Sequence, residues 1–104
     1  WIMGITIVKS LDSIKGKLLD IKVEKRLIKI IFTWHALDSI QDYGISIENA
    51  LDYLLFADEI IRGHGERFIA HRKLNDHLAR VVYEYDANSI IIVTSYRHSP
   101  IIQL

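Results

Sequence analysis

Five histidines (His35, His64, His71, His77, His98) and a scatter of arginines are the side chains able to do chemistry near neutral pH. Their gaps fit neither an H-E-x-x-H helix nor any cysteine/histidine zinc pattern, no carboxylate stands at a matching offset, and the chain has no cysteine. No metal and no other cofactor is expected on that ground. Gly63-His64-Gly65 lacks the G-x-x-x-x-G-K-[ST] order of a nucleotide loop, and no nucleophile elbow recommends Ser/His/Asp hydrolysis. What the residues could do is metal-free: arginines hold a phosphodiester and neutralise its developing charge while a histidine moves a proton. Attack by a 2′-hydroxyl within RNA needs little else, because the substrate brings its own nucleophile.

Whether those side chains meet depends on the strands that carry them. Residues 67–73 and 78–85 read as strands joined at a turn over Asn75-Asp76. The most apolar strand, 89–96, follows a second turn at Asp86-Ala87-Asn88-Ser89. Pairing Leu74 with His77 sets Arg72 opposite Ala79, Ala70 opposite Val81 and Phe68 opposite Tyr83 on an apolar face. The other face then pairs His71 with Arg80 and Arg67 with Glu84. Pairing Asp86 with Ser89 places Ser95 opposite Arg80 and Arg97 opposite Leu78. The register therefore predicts a cluster of His71, Arg80, Ser95 and Arg97 at one end of the sheet. The competing reading is an ordinary solvated sheet face of paired charges.

The remaining elements are read from periodicity. A short strand is expected over Gly4 to Val8, and a strand-like stretch from Ile21 to Phe32 with a break near Glu24-Lys25-Arg26. Residues 9–19 are ambiguous, since Leu11, Ile14 and Leu18 are spaced for a helix face while Gly16 weakens it. Two short amphipathic helices follow, about 34–43 and 47–61, separated by a C′ glycine (Gly44) and started again by Ser46 as N-cap. Ile60 or Ile61 closes the buried stripe of the second helix, and Pro100 ends regular structure. Strands, two helices and three more strands imply an α+β fold, with two short helices packed on an antiparallel sheet that ends in a three-stranded meander.

At 104 residues the chain is expected to form a single domain, 1–104, around one core. Half of it is apolar and a quarter charged, which is globular rather than disordered. No apolar run approaches the roughly 18 residues of a membrane helix, and no signal-peptide pattern opens the chain, so a soluble, cytoplasmic domain with no membrane partner is expected. Met3 is a candidate for the natural start. Nineteen isoleucines against two glutamines and one methionine suit a thermophile, although an AT-rich genome also favours isoleucine.

The net charge is zero, but it is unevenly spread. Residues 1–34 carry seven Lys/Arg against three acids, 35–61 carry six acids and no base, and 62–80 carry five bases against two acids. A basic, histidine-bearing segment thus follows an acidic one. It could hold phosphate locally, while a neutral whole offers little long-range attraction to nucleic acid.

Two stretches carry a resemblance. T-W-H-A-L-D-S-I-x-x-Y-G-I-S-I-E-N-A (Thr33 to Ala50) and V-V-Y-E-Y-D-A-N-S-I-I-I-V-T-S-Y-R (Val81 to Arg97) resemble a widespread prokaryotic family of uncharacterised small domains. Its pattern is a short strand, H-A-x-x-R, R-G-I-S, a second helix, and a closing hairpin with a V-x-T-x-Y strand. About residues 31–97 are covered, with 1–30 left as a strand-rich N-terminal extension. That family is similar in turn to RelE- and BrnT-like toxins, α+β ribonucleases with helices against a curved antiparallel sheet. The resemblance implies a RelE-like fold and a metal-independent endoribonuclease, the toxin half of a toxin–antitoxin pair, with RNA as substrate and an antitoxin protein as partner. By motif position His35 matches the family histidine, and Arg80, Thr94 and Tyr96 match its strand residues.

The combined expectation makes His35 or His71 the acid/base, Arg80 and Arg97 (with Arg72) the phosphate holders, Thr94 a substrate contact, and Tyr96 a base-stacking or orienting group. An acidic partner would cover the basic 62–80 segment. The rival expectation, from a different class, is a non-catalytic protein-interaction module or degenerate relative of that fold, binding through a sheet edge or its acidic helix face.

Overall fold

The computed structural model describes residues 4–98, so Met3 and Pro100 lie outside the described residues. Three strands open the chain: β1 (Ile5–Asp12), β2 (Gly16–Val23) and β3 (Arg26–Thr33). The ambiguous 9–19 stretch is strand and turn, not helix. Leu11 pairs with Leu18 across β1 and β2, and Ile14, 98% exposed, sits at the turn between them. Gly16 is required there. Its φ is +152°, and a Cβ would stand 2.0 Å from the Phe32 carbonyl oxygen. The break near Glu24-Lys25 is the β2–β3 turn, with Val23 paired to Arg26.

Two helices follow, α1 (Trp34–Asp42) and α2 (Ile47–Leu55). Thr33 caps α1 by accepting from the Ala36 amide at 3.0 Å, and Ser46 caps α2 by accepting from the Asn49 amide at 3.0 Å. Gly44 stands between them at φ +66°, the left-handed conformation that follows a helix end. The Trp34 indole donates to the Ser13 and Ile14 carbonyls, tying the start of α1 to the β1–β2 turn.

The second helix is shorter than its periodicity predicts. It ends at Leu55, and residues expected to complete it form β4 (Glu59–Arg62), an exposed edge strand. The reason is tertiary: the Asp58 amide donates to the His71 carbonyl at 2.8 Å and the Lys73 amide to Asp58 Oδ2 at 2.7 Å, pinning the chain along a neighbouring strand. Ile60 and Ile61, counted as helix stripe, are 55% and 41% exposed on that edge.

β5 (Phe68–Lys73), β6 (Leu78–Asp86) and β7 (Ser89–His98) form the expected meander. The seven strands make one sheet, in the order β1-β2-β3-β7-β6-β5-β4. The fold is α+β, with two helices and a mostly antiparallel sheet. One ladder departs from the all-antiparallel expectation: β3 and β7 run parallel, from Lys29 beside Ser89 to Phe32 beside Ile92. The two helices and the β4–β6 strands supply the long crossover that a parallel pair needs. Residues before 31 are thereby built into the same sheet.

The core lies on one sheet face. Leu19, Ile21, Ile30, Phe32, Ala70, Ala79, Val81, Tyr83 and Ile92 alternate along their strands and are buried with Ala36, Ile40, Ala50, Leu51 and Leu54 of the helices. Their neighbours on the opposite face, such as Leu18, Ile31, Ile91 and Val82, stay half-buried. Among the described residues no helix is long and apolar enough to cross a membrane.

Candidate active site

The β5–β6 register is the one the turn at Asn75-Asp76 dictates: Phe68 faces Tyr83, Ala70 faces Val81, His71 faces Arg80 and Arg72 faces Ala79. The β6–β7 register follows expectation from Asp86 opposite Ser89 to Tyr83 opposite Ile92, and then slips. Val93 is an extra residue, a β-bulge that re-aims every side chain beyond it. The bulge falls where β3 stops accompanying β7. Thr33 turns into α1 there, and its hydroxyl donates to the Ile92 carbonyl at 3.1 Å and the Val93 carbonyl at 3.4 Å.

The expected four-residue cluster is therefore corrected. Ser95 lies opposite Val81, not Arg80, and Arg97 opposite Ala79, not Leu78. Both belong to the core face. Ser95 is fully buried, and its hydroxyl donates to the Arg80 carbonyl at 3.1 Å. Tyr96 takes the place beside Arg80.

The outcome is one continuous rung across four strands, on the face away from the core: Glu59 (β4), His71 (β5), Arg80 (β6), Tyr96 (β7). Glu59 Oε1 lies 3.2 Å from His71 Nδ1. A carboxylate can only accept, so this contact places a proton on Nδ1, and the neutral tautomer that fits it carries its lone pair at Nε2. Arg80 Nη1 donates to the Tyr96 hydroxyl at 3.4 Å, and its guanidinium carbon stands 6.0 Å from the Tyr96 ring centre. Tyr43, at the end of α1, packs against Tyr96 with ring centres 6.2 Å apart. The His71 ring is 10% exposed, and among the described residues neither its Nε2 nor Arg80 Nε has a hydrogen-bond partner. A proton acceptor, a cation and a phenol thus converge with unmet hydrogen-bonding capacity, an expensive arrangement for a purely structural face.

The other expected site residues do not join this rung. His35 is exposed in the first turn of α1. Arg72 points to the core face, where Nη1 donates to the Phe56 carbonyl at 2.9 Å and lies 3.4 Å from Asp52, so its charge is used to hold the end of α2. Arg97 shares that face, with Ala79 between it and Arg72, and its buried Nε has no partner among the described residues. Thr94 lies two residues before Tyr96, opposite Val82 rather than Arg80, and donates to Ser39 of α1 at 3.0 Å. Arg67 pairs with Glu84 at 3.4 Å, as an ordinary exposed sheet pair. Among the described residues no three His, Asp or Glu side chains converge as metal ligands.

Sequence reasoning missed Glu59 and Tyr43. The helical periodicity over 47–61 places Glu59 in the second helix. Its signal was present in the β-branched Ile60-Ile61 that follows it, which suits an edge strand as well as a helix stripe. Tyr43 stands at the end of the first helix's periodicity, and only its contact with Tyr96 brings it to the site.

No curated protein and no solved structure matches this chain. Residues 32–97, which carry all four rung residues and both helices, match a family described as a domain of unknown function, DUF4258. That stretch is well over half of the chain, which therefore belongs to the DUF4258 family.

Proposed function

We infer that this protein is a toxin-like, metal-independent endoribonuclease that cleaves RNA by attack of a 2′-hydroxyl on the adjacent phosphorus. The observation that carries the reading is the Glu59–His71–Arg80–Tyr96 rung. His71 Nε2 takes the 2′-hydroxyl proton while Glu59 holds the ring tautomer through Nδ1. The 2′-oxygen bonds to phosphorus and the bond to the 5′-oxygen breaks, leaving a 2′,3′-cyclic phosphate. Arg80 neutralises the non-bridging oxygens as charge builds on them. Tyr96, whose hydroxyl already accepts from Arg80, keeps its own O–H to donate to the departing 5′-oxygen. Solvent then carries the proton from His71 back to Tyr96. In this reading the protein acts in the cytoplasm, and its partner is an antitoxin protein.

A second reading, a non-catalytic interaction module, is favoured by the β4 edge, where Ile60 and Ile61 are exposed and the outer backbone has no neighbouring strand among the described residues. One experiment separates the two. Expression should arrest growth and fragment RNA, and the purified chain should cut RNA in EDTA to products ending in 2′,3′-cyclic phosphate. His71→Ala should slow that cleavage by about 100-fold to 10,000-fold. Harmless expression with intact RNA would leave the interaction module as the better account.

A further inference from the structure

A second set of side chains lies on the same open face, over the three N-terminal strands and the start of β7. Lys9 pairs with Asp20, Asp20 with Lys29, and Lys29 with Ser89, making a polar rung across β1, β2, β3 and β7. Two residues along, Leu11, Leu18, Ile31 and Ile91 make a wholly apolar rung in the same order. A hollow of about 350 Å³ opens between these rungs, lined by Lys9, Asp20, Lys29 and Ser89 on one side and Leu11, Leu18 and Ile31 on the other. That volume falls at the small end of sites built for small molecules. Leu11 is 55% exposed, an apolar group left in water at the rim.

We propose that this hollow binds a small amphipathic monoanion, a medium-chain carboxylate, with its head on Lys9 and Lys29 and its tail over Leu11, Leu18 and Ile31. The charge count sets the valence. Two ammonium groups flank one carboxylate, so the rung carries a net single positive charge, which one carboxylate head cancels and a phosphate dianion would exceed. None of the three side chains forms a salt bridge within 4.0 Å in the described structure, so the ammonium groups remain available to a ligand. The Ser89 hydroxyl adds a neutral donor beside Lys29. Among the described residues the apolar side is lined by aliphatic side chains with no aromatic ring, which disfavours a nucleobase and suits an alkyl chain. This site is independent of the ribonuclease reading, since it uses none of the residues of the Glu59–Tyr96 rung.

The test titrates decanoate into the full chain by calorimetry and follows backbone amide shifts by NMR. Decanoate should bind and shift the amides of Asp20, Lys29, Ile31 and Ser89, whereas acetate (no tail) and decanol (no charge) should bind far more weakly. The exposed double variant Lys9→Ala/Lys29→Ala should fold normally and weaken decanoate binding at least about threefold to fivefold, as loss of exposed charge pairs allows. Higher salt should weaken binding in the same direction. Asp20→Asn should relax the valence preference and let decyl phosphate bind at least as well as decanoate. Equal binding of decanol and decanoate, unchanged affinity in the lysine double variant, or shifts centred on His71 and Arg80 would each overturn the proposal.

Discussion

Glu59 Oε1 and His71 Nδ1 stand 3.2 Å apart across the β4–β5 ladder, the outer end of a rung whose other members are Arg80 and Tyr96. The histidine ring is nearly buried while the glutamate is largely exposed, so the carboxylate sets the tautomer from the solvent side. Glu59→Gln keeps the shape and removes the charge. It should slow RNA cleavage by about tenfold or more while leaving substrate affinity nearly unchanged. The ring-nitrogen NMR shifts of His71 should move towards a mixture of tautomers. A variant with wild-type cleavage and an unaltered tautomer would remove Glu59 from the mechanism.

Arg80 and Arg72 are eight residues apart yet have opposite fates, one on each face. Arg80→Ala should cost little stability, about 0.5–1 kcal/mol for the lost contact with the Tyr96 ring, and should reduce cleavage about 100-fold or more. Arg72→Ala should do the reverse, because it frees the Phe56 carbonyl and Asp52 at the end of α2. A loss of about 1–2 kcal/mol, read as a lower melting temperature with RNA binding intact, is expected. Melting and cleavage measured on both variants distinguish scaffold from site.

Gly16 and Gly44 offer a comparison of two backbone causes. At Gly44 a Cβ meets nothing within 4 Å, so Gly44→Ala pays only for its left-handed φ of +66°, about 1–2 kcal/mol. At Gly16 the added carbon would strike the Phe32 carbonyl, so β2 and β3 must part. Gly16→Ala should cost more than Gly44→Ala in urea unfolding, by about 1–3 kcal/mol of overpacking.

Stability should fall in alkali for a specific reason. Burial, reinforced by the charge of Tyr85 and a hydrogen bond with it, pushes the Tyr83 hydroxyl up from 10.0 to about 12. The folded state therefore holds this proton more tightly than the unfolded chain. The stability linked to it is fully present below about pH 10 and is lost as pH rises from there towards about 12. Tyr83→Phe, which cannot ionise, should show a shallower fall of melting temperature over that window. Parallel curves for the two proteins would show that alkaline loss comes from other groups.

Much of the rung could be read from the chain. A two-residue turn at Asn75-Asp76 between alternating strands leaves one register for β5 and β6, which puts His71 beside Arg80 and Phe68 beside Tyr83. The same logic holds from Asp86 opposite Ser89 as far as Ile92. The break between the helices was legible too, because Ser46 caps the second helix locally and Gly44 must be left-handed. These features depend on residues a few positions apart, whose geometry the backbone itself restricts.

Only tertiary structure decided the rest. The bulge at Val93 arises where Thr33, distant in sequence, leaves the sheet for α1 and takes two β7 carbonyls. That bulge exchanges Ser95 for Tyr96 beside Arg80 and sends Arg97 to the core face. Glu59 joins His71 because Asp58 is bonded to β5, overriding a helical periodicity that otherwise runs through Ile60. The Lys9–Asp20–Lys29–Ser89 rung exists because β3 finds β7 in parallel after a crossover of two helices and three strands. Side-chain alternation sets which residues of one strand share a face, but which strand lies alongside is chosen by long-range burial, and one inserted residue there reverses every assignment beyond it.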